Sequence, residues 1–90
     1  MSKLIKVRIY GKVQGVSFRA STRRKARELG LTGFVQNEPD GTVYAEMEGE
    51  QEQLDAMLKW CHEGPPLARV DRIEVEEDES VDFQDFQIRR

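Results

Sequence analysis

Apolar and polar residues alternate over residues 3–10, with Ile5, Val7 and Ile9 on one side and Lys6, Arg8 and Tyr10 on the other. A period of two predicts a half-buried first strand. From 18 to 29 the period lengthens. Phe18, Thr22, Ala26 and Leu29 fall on one helical stripe, and Arg23, Arg24, Lys25 and Arg27 lie largely outside it. Gly30 supplies the left-handed residue that ends this helix, with Leu31 placed to fold back over Ala26. Residues 33–37 read as a short second strand, and 42–48 as a third with Val43, Ala45 and Met47 inward. Between them Glu38-Pro39-Asp40-Gly41 is a turn, because proline presets one dihedral and glycine permits a positive one. Leu54, Met57, Leu58 and Cys61 then repeat at helical spacing over 51–62, and Gly64-Pro65-Pro66 stops that second helix.

The remaining pattern is less regular. Val70 differs in parity from Ile73 and Val75, so the fourth strand either starts late or carries a bulge near Asp71-Arg72. The acidic run 76–80 reads as a solvated connection, and the acids from Glu74 to Glu79 as a charged edge that discourages pairing. Residues 83–88 leave room for a short fifth strand with Phe86 and Ile88 inward. The order is strand, helix, strand, strand, helix, strand. Right-handed crossovers then put both helices on one face of a mainly antiparallel sheet. This is the α+β, ferredoxin-like two-layer sandwich, βαββαβ.

Composition narrows the class. With 90 residues the chain has room for one core, and 1–90 reads as a single domain. A net charge of −3 argues against general affinity for nucleic acid or an anionic membrane. Cys61, the one cysteine, allows neither an internal disulfide nor a two-cysteine metal motif. No apolar run is long enough for a signal peptide or a membrane span. The expectation is a soluble, cytoplasmic monomer without a cofactor.

The chemistry concentrates between Gly11 and Arg19, in Gly-Lys-Val-Gln-Gly-Val-Ser-Phe-Arg, where a strand runs through a glycine-bearing loop into a helix. Such a loop turns backbone N–H groups toward one point, and the first-turn amides of the helix add to them. Arg19 at the lip contributes a planar set of donors. The resulting positive cup fits a phosphate group. It is not a nucleoside-triphosphate loop, since no Gly-Lys-Ser or Gly-Lys-Thr follows at the required spacing. Gln14 reads as a brace of this loop. His62 and Cys61 read as a surface histidine and a core cysteine, and Glu38 and Asp40 as turn residues.

Gly11, Val13, Gln14, Gly15, Val16, Phe18 and Arg19 together resemble the first signature of the acylphosphatase family. Gly33-Phe34-Val35-Gln36-Asn37, followed by Gly41, Val43 and Gly49, resembles its second, in order and at the family's separation. Gly64-Pro65-Pro66, Ala68 and Val70 extend the likeness over nearly the whole chain. Ser17 departs from it, standing where many relatives have glycine or an aromatic residue. The resemblance implies the same fold and hydrolysis of an acyl phosphate to carboxylate and inorganic phosphate, without metal. It implies that Arg19 binds phosphate and that the amides of Gly15, Val16, Ser17 and Phe18 form the cradle. It also assigns to Asn37 the orientation of the attacking water. On local sequence alone Asn37, just before the hairpin, reads as a turn-former bonding its own backbone.

Two other readings share the fold class. RNA-binding domains of this topology expose aromatic rings on the central strands, and Tyr10 and Tyr44 fall on the open face. Glu46 and Glu48, on that same side of the third strand, would repel phosphate, and no RNP1-like sequence occurs over 42–48. A non-catalytic acylphosphatase-like module of a larger protein is the second, which the presence of both Arg19 and Asn37 opposes.

Overall fold

A computed structural model describes residues 2–89. The elements are β1 (Lys3–Lys12), α1 (Phe18–Glu28), β2 (Thr32–Asn37), β3 (Val43–Gly49), α2 (Gln51–Glu63), β4 (Arg69–Asp78) and β5 (Phe86–Arg89). They form one sheet in the order β4-β1-β3-β2-β5. β3 is antiparallel to both β1 and β2, so β1 and β2 run the same way with β3 between them. Two split βαβ units interleave here, each crossover helix passing over one intervening strand. The expected ferredoxin-like sandwich is the observed fold.

The core lies between the sheet and the helices. Ile5, Val7, Ile9, Val43, Ala45 and Met47 form its sheet side, and Phe18, Ala26, Leu54, Met57 and Cys61 its helix side, all at most 3% exposed. Burying each of the larger apolar side chains contributes roughly 1.5–3 kcal/mol. Helix α1 closes as its sequence suggests. Gly30 N–H donates to Arg27 O (3.1 Å) and Leu31 N–H to Ala26 O (2.8 Å), with Gly30 at φ 78.

Three details differ from the sequence expectation or decide between its alternatives. The parity change in β4 is a bulge: Tyr10 pairs with Arg72 and Gly11 with Val70, leaving Asp71 as the extra residue. Gly11 therefore belongs to β1 rather than to the cup loop. At its φ of 132 a Cβ would collide with the carbonyl of Arg69, so glycine is required here for close strand approach. The acidic stretch up to Asp78 is also strand, not connection. It pairs with β1, and Lys6 Nζ holds Asp78 at 3.0 Å. β4 is nonetheless an edge strand with exposed acids, as the charge pattern suggested.

Glu48 is the third. Instead of repelling ligands from the open face it is 5% exposed and holds the segment that leads to β5. Its Oε2 accepts from the Ser80 hydroxyl (2.7 Å) and from the N–H of Val81 (2.7 Å) and Asp82 (3.2 Å), and its Oε1 from Phe83 N–H (2.9 Å). Burial alone would raise its pKa, but the bonds from Ser80 and the three amides outweigh it, leaving the carboxyl below its ordinary 4.5. This stabilisation is complete above the unfolded-state value and is lost as pH falls through the lower folded value. Glu48→Gln is expected to cost about 2 kcal/mol at neutral pH, the range for hydrogen bonds to a charged group. Its stability should also fall less steeply than the parent's below about pH 4.5. Urea melts of both proteins across that range check this, and parallel pH curves would refute it.

Candidate active site

The loop from Val13 to Ser17 leaves β1 and enters α1, and Asn37 is the last residue of the parallel strand β2. Both therefore emerge at the same end of the sheet. Ile9, Val43 and Asn37 lie in one register row across β1, β3 and β2. Above that row is a cleft of about 820 Å³ whose walls include Val13, Gly15, Ser17, Phe18, Arg19 and Asn37.

Each part of the cleft is held from below. Phe18, 1% exposed, packs on Trp60 with ring centres 5.6 Å apart and fixes the start of α1. Ser17 is the N-cap residue in the left-handed region (φ 64, ψ 24), and its side chain makes no capping bond. Ser21 N–H reaches back to Ser17 O at 3.0 Å, so α1 begins with its first-turn amides unpaired inside the helix. Among the described residues the N–H groups of 15–20 have no acceptor. Gly15 at φ 75 completes the turn of the loop. Val16 turns its side chain into the core and is not part of the cleft wall. Arg19 is half-buried, and among the described residues no carboxylate pairs with it.

Gln14 braces the loop against the hairpin that follows Asn37. Its Nε2 donates to Glu38 O (2.8 Å) and Thr42 O (2.9 Å). The hairpin is shaped by Asp40, whose Oδ1 accepts from Thr42 N–H (3.0 Å) and the Thr42 hydroxyl (2.6 Å). These bonds, the Thr42 hydroxyl above all, hold the Asp40 carboxyl below its ordinary range. Arg8 supports the same turn, donating to Thr42 Oγ1 at 2.9 Å. Asn37 is thus not the turn-former: its Oδ1 is buried and has no hydrogen-bond partner among the described residues.

Two residues of the cleft wall are not expected there from the sequence: Ala20, and Ile88, which reads only as an inward residue of a fifth strand. Ala20 follows Arg19 by one position and is visible once the helix start is known. Ile88 reaches the cleft because β5 pairs parallel with β2, opposite Val35, and no local pattern announces that pairing. Elsewhere, Cys61 is buried and its thiol is pushed up to about 12 by burial, so it is no nucleophile at neutral pH. Among the described residues there is no group of three or more His, Cys, Asp or Glu able to hold a metal.

Comparison with known proteins points to one family. The acylphosphatase family model matches residues 5–88. An acylphosphatase of Thermococcus kodakarensis is 52% identical over 82 residues, covering 91% of this chain and 90% of its own. The structure of an acylphosphatase from Coxiella burnetii superposes with a TM-score of 0.95 at 43% identity, over 98% of this chain and 93% of that one. Full-length HypF, in its phosphate- and nucleotide-bound form, contains a similar unit. It aligns with a TM-score of 0.89 at 31% identity over 100% of this chain but 12% of its own. The fold and these matches define a hydrolase of the ferredoxin-like class. The chain belongs to the acylphosphatase family, and it cleaves acyl phosphates to carboxylate and inorganic phosphate.

Proposed function

We propose that hydrolysis proceeds by direct attack of a water, oriented by Asn37, on a phosphoryl group held by Arg19 and the amides of Gly15, Val16, Ser17 and Phe18. The observation that carries this reading is that Gly15, Ser17, Phe18, Arg19 and Asn37 line one cleft, and that among the described residues the N–H groups of 15–20, the Arg19 guanidinium and Asn37 Oδ1 have no hydrogen-bond partner.

The leaving carboxylate is a weak base, so its departure needs no strong general acid. What the protein supplies is charge neutralisation and an in-line position for water. A phosphoryl oxygen of the substrate takes the proton that the water loses. Neither a cofactor nor a metal enters this scheme, because the positive charge comes from Arg19 and the amides.

The domain acts in the cytoplasm, as a monomer, on small acyl phosphates, with inorganic phosphate as product and inhibitor. Among the described residues no helix is long and apolar enough to cross a membrane. Binding of nucleic acid is disfavoured by the state of the two open-face tyrosines. Arg72 lies 3.9 Å from the centre of the Tyr10 ring and Arg8 5.2 Å from that of Tyr44. Their hydroxyls donate to Glu74 and Glu46. Rings covered in this way do not offer a free face to a base.

Exhaustive chelation followed by assay on benzoyl phosphate tests the scheme. Full activity is expected, with competitive inhibition by inorganic phosphate. Activity that is lost and then returns with magnesium or zinc would overturn it.

A further inference from the structure

A second cleft, of about 590 Å³, adjoins the first on the exposed side of α1. Ala20 lines both, and beyond it the wall is Arg23, Arg24, Arg27 and Glu28. The arginines differ in what holds them. Arg27 is paired with Asp85 at 3.2 Å. Arg23, which is half-buried, and Arg24 have no ion-pair or hydrogen-bond partner among the described residues. In a chain of net charge −3, helix α1 gathers Arg19, Arg23, Arg24, Lys25 and Arg27 against the single acid Glu28.

Position gives this charge a use. Arg23 follows Arg19 by four residues, one turn on and about 6 Å along the helix axis. A ligand whose phosphoryl group sits at Arg19 and whose acyl part runs over Ala20 would bring any second anionic group to Arg23 and Arg24. Two planar guanidiniums suit a carboxylate or phosphate through paired N–H donors. Glu28 at the far end repels an anion there and leaves Arg23 and Arg24 as the favoured seat.

We propose that Arg23 and Arg24 form a second anion site beside the phosphoryl cup, selecting acyl phosphates that carry a further carboxylate or phosphate on the acyl part. This rests on the placement of the phosphoryl group at Arg19. The bond that breaks is unchanged: water adds to phosphorus and the acyl carboxylate leaves.

The test compares kcat/KM for benzoyl phosphate, 4-carboxybenzoyl phosphate and 4-(phosphonooxy)benzoyl phosphate. Three proteins are used: the parent, Arg23→Gln/Arg24→Gln, and Lys3→Gln/Lys59→Gln, which loses the same charge elsewhere. The preference of the parent for a charged acyl part over benzoyl phosphate should fall about tenfold in the arginine variant, mainly through KM, the scale of one charge-assisted bond. It should be unaltered in the lysine variant. The acyl group whose preference falls most identifies the matching anion as carboxylate or phosphate. An unaltered preference in the arginine variant, or an equal fall in the lysine variant, overturns the proposal. Failure of the underlying placement is distinguishable, because benzoyl phosphate turnover would then survive replacement of Arg19.

Discussion

Arg19→Lys is expected to lower turnover of an aryl acyl phosphate by about two orders of magnitude or more, the range seen when a preorganised charge donor is removed. Lysine keeps the charge but loses the planar fork that spans two phosphoryl oxygens. Its ammonium is also smaller and more strongly hydrated, so it does not restore the contact by moving. Arg19 follows Phe18, whose packing on Trp60 fixes the helix start. The guanidinium is therefore presented by a rigid base, and its loss is not made good by rearrangement of the loop. Inorganic phosphate should bind more weakly as well, since the same donors hold ground state and transition state. Because Arg19 is half-buried and has no partner among the described residues, the variant should unfold at nearly the parent temperature. Near-normal turnover by such a folded variant would remove Arg19 from the site.

A different signature is expected at Asn37. A group that orients water acts mainly in the transition state, whereas a phosphate-binding group acts before it as well. Asn37→Ala should thus be nearly inactive while keeping most of the affinity for inorganic phosphate. Aspartate is nearly isosteric and still accepts a bond from water, but its charge opposes the phosphoryl group. Asn37→Asp is expected to be equally inactive and to bind phosphate more weakly. The hairpin after Asn37 depends on Asp40, Thr42 and Gln14, not on the Asn37 side chain, so both variants should fold. Phosphate titrations and single-substrate kinetics on the same preparations separate the roles. Should Asn37→Ala lose phosphate affinity as badly as Arg19→Lys, or turn over normally, the water-holding role is wrong.

The parts of the structure that were legible in the sequence are those governed by local periodicity. Ile5, Val7 and Ile9, or Leu54, Met57 and Cys61, announce their elements because one buried face imposes one spacing. Even the irregularity in β4 was signalled, since an extra residue must change the parity of Val70 relative to Ile73. What escaped depends on partners distant in the chain. Gly11 looks like a loop glycine until Arg69 is placed beside it. Glu48 looks like an exposed acid, because its donors are backbone amides more than thirty positions later. Glu76 and Glu77 look too polar for a strand, yet an edge strand needs only one pairing neighbour. At the site, both motifs were visible as sequence, but the unpartnered state of Asn37 was not. It required knowing that Asp40 and Gln14 already satisfy the turn.

The parallel course of β1 and β2 has a mechanical meaning. The loop that leads to Arg19 leaves one strand and Asn37 ends the other, with β3 always between them. Their lateral separation is two interstrand steps, roughly 9–10 Å, and it is set by backbone hydrogen bonds rather than by side-chain size. The sheet is thus a ruler for the gap between the Arg19 loop and Asn37, which the proposed mechanism fills with phosphoryl group and water. Core residues beneath it can change in volume and alter how firmly the protein folds, while the gap keeps its width.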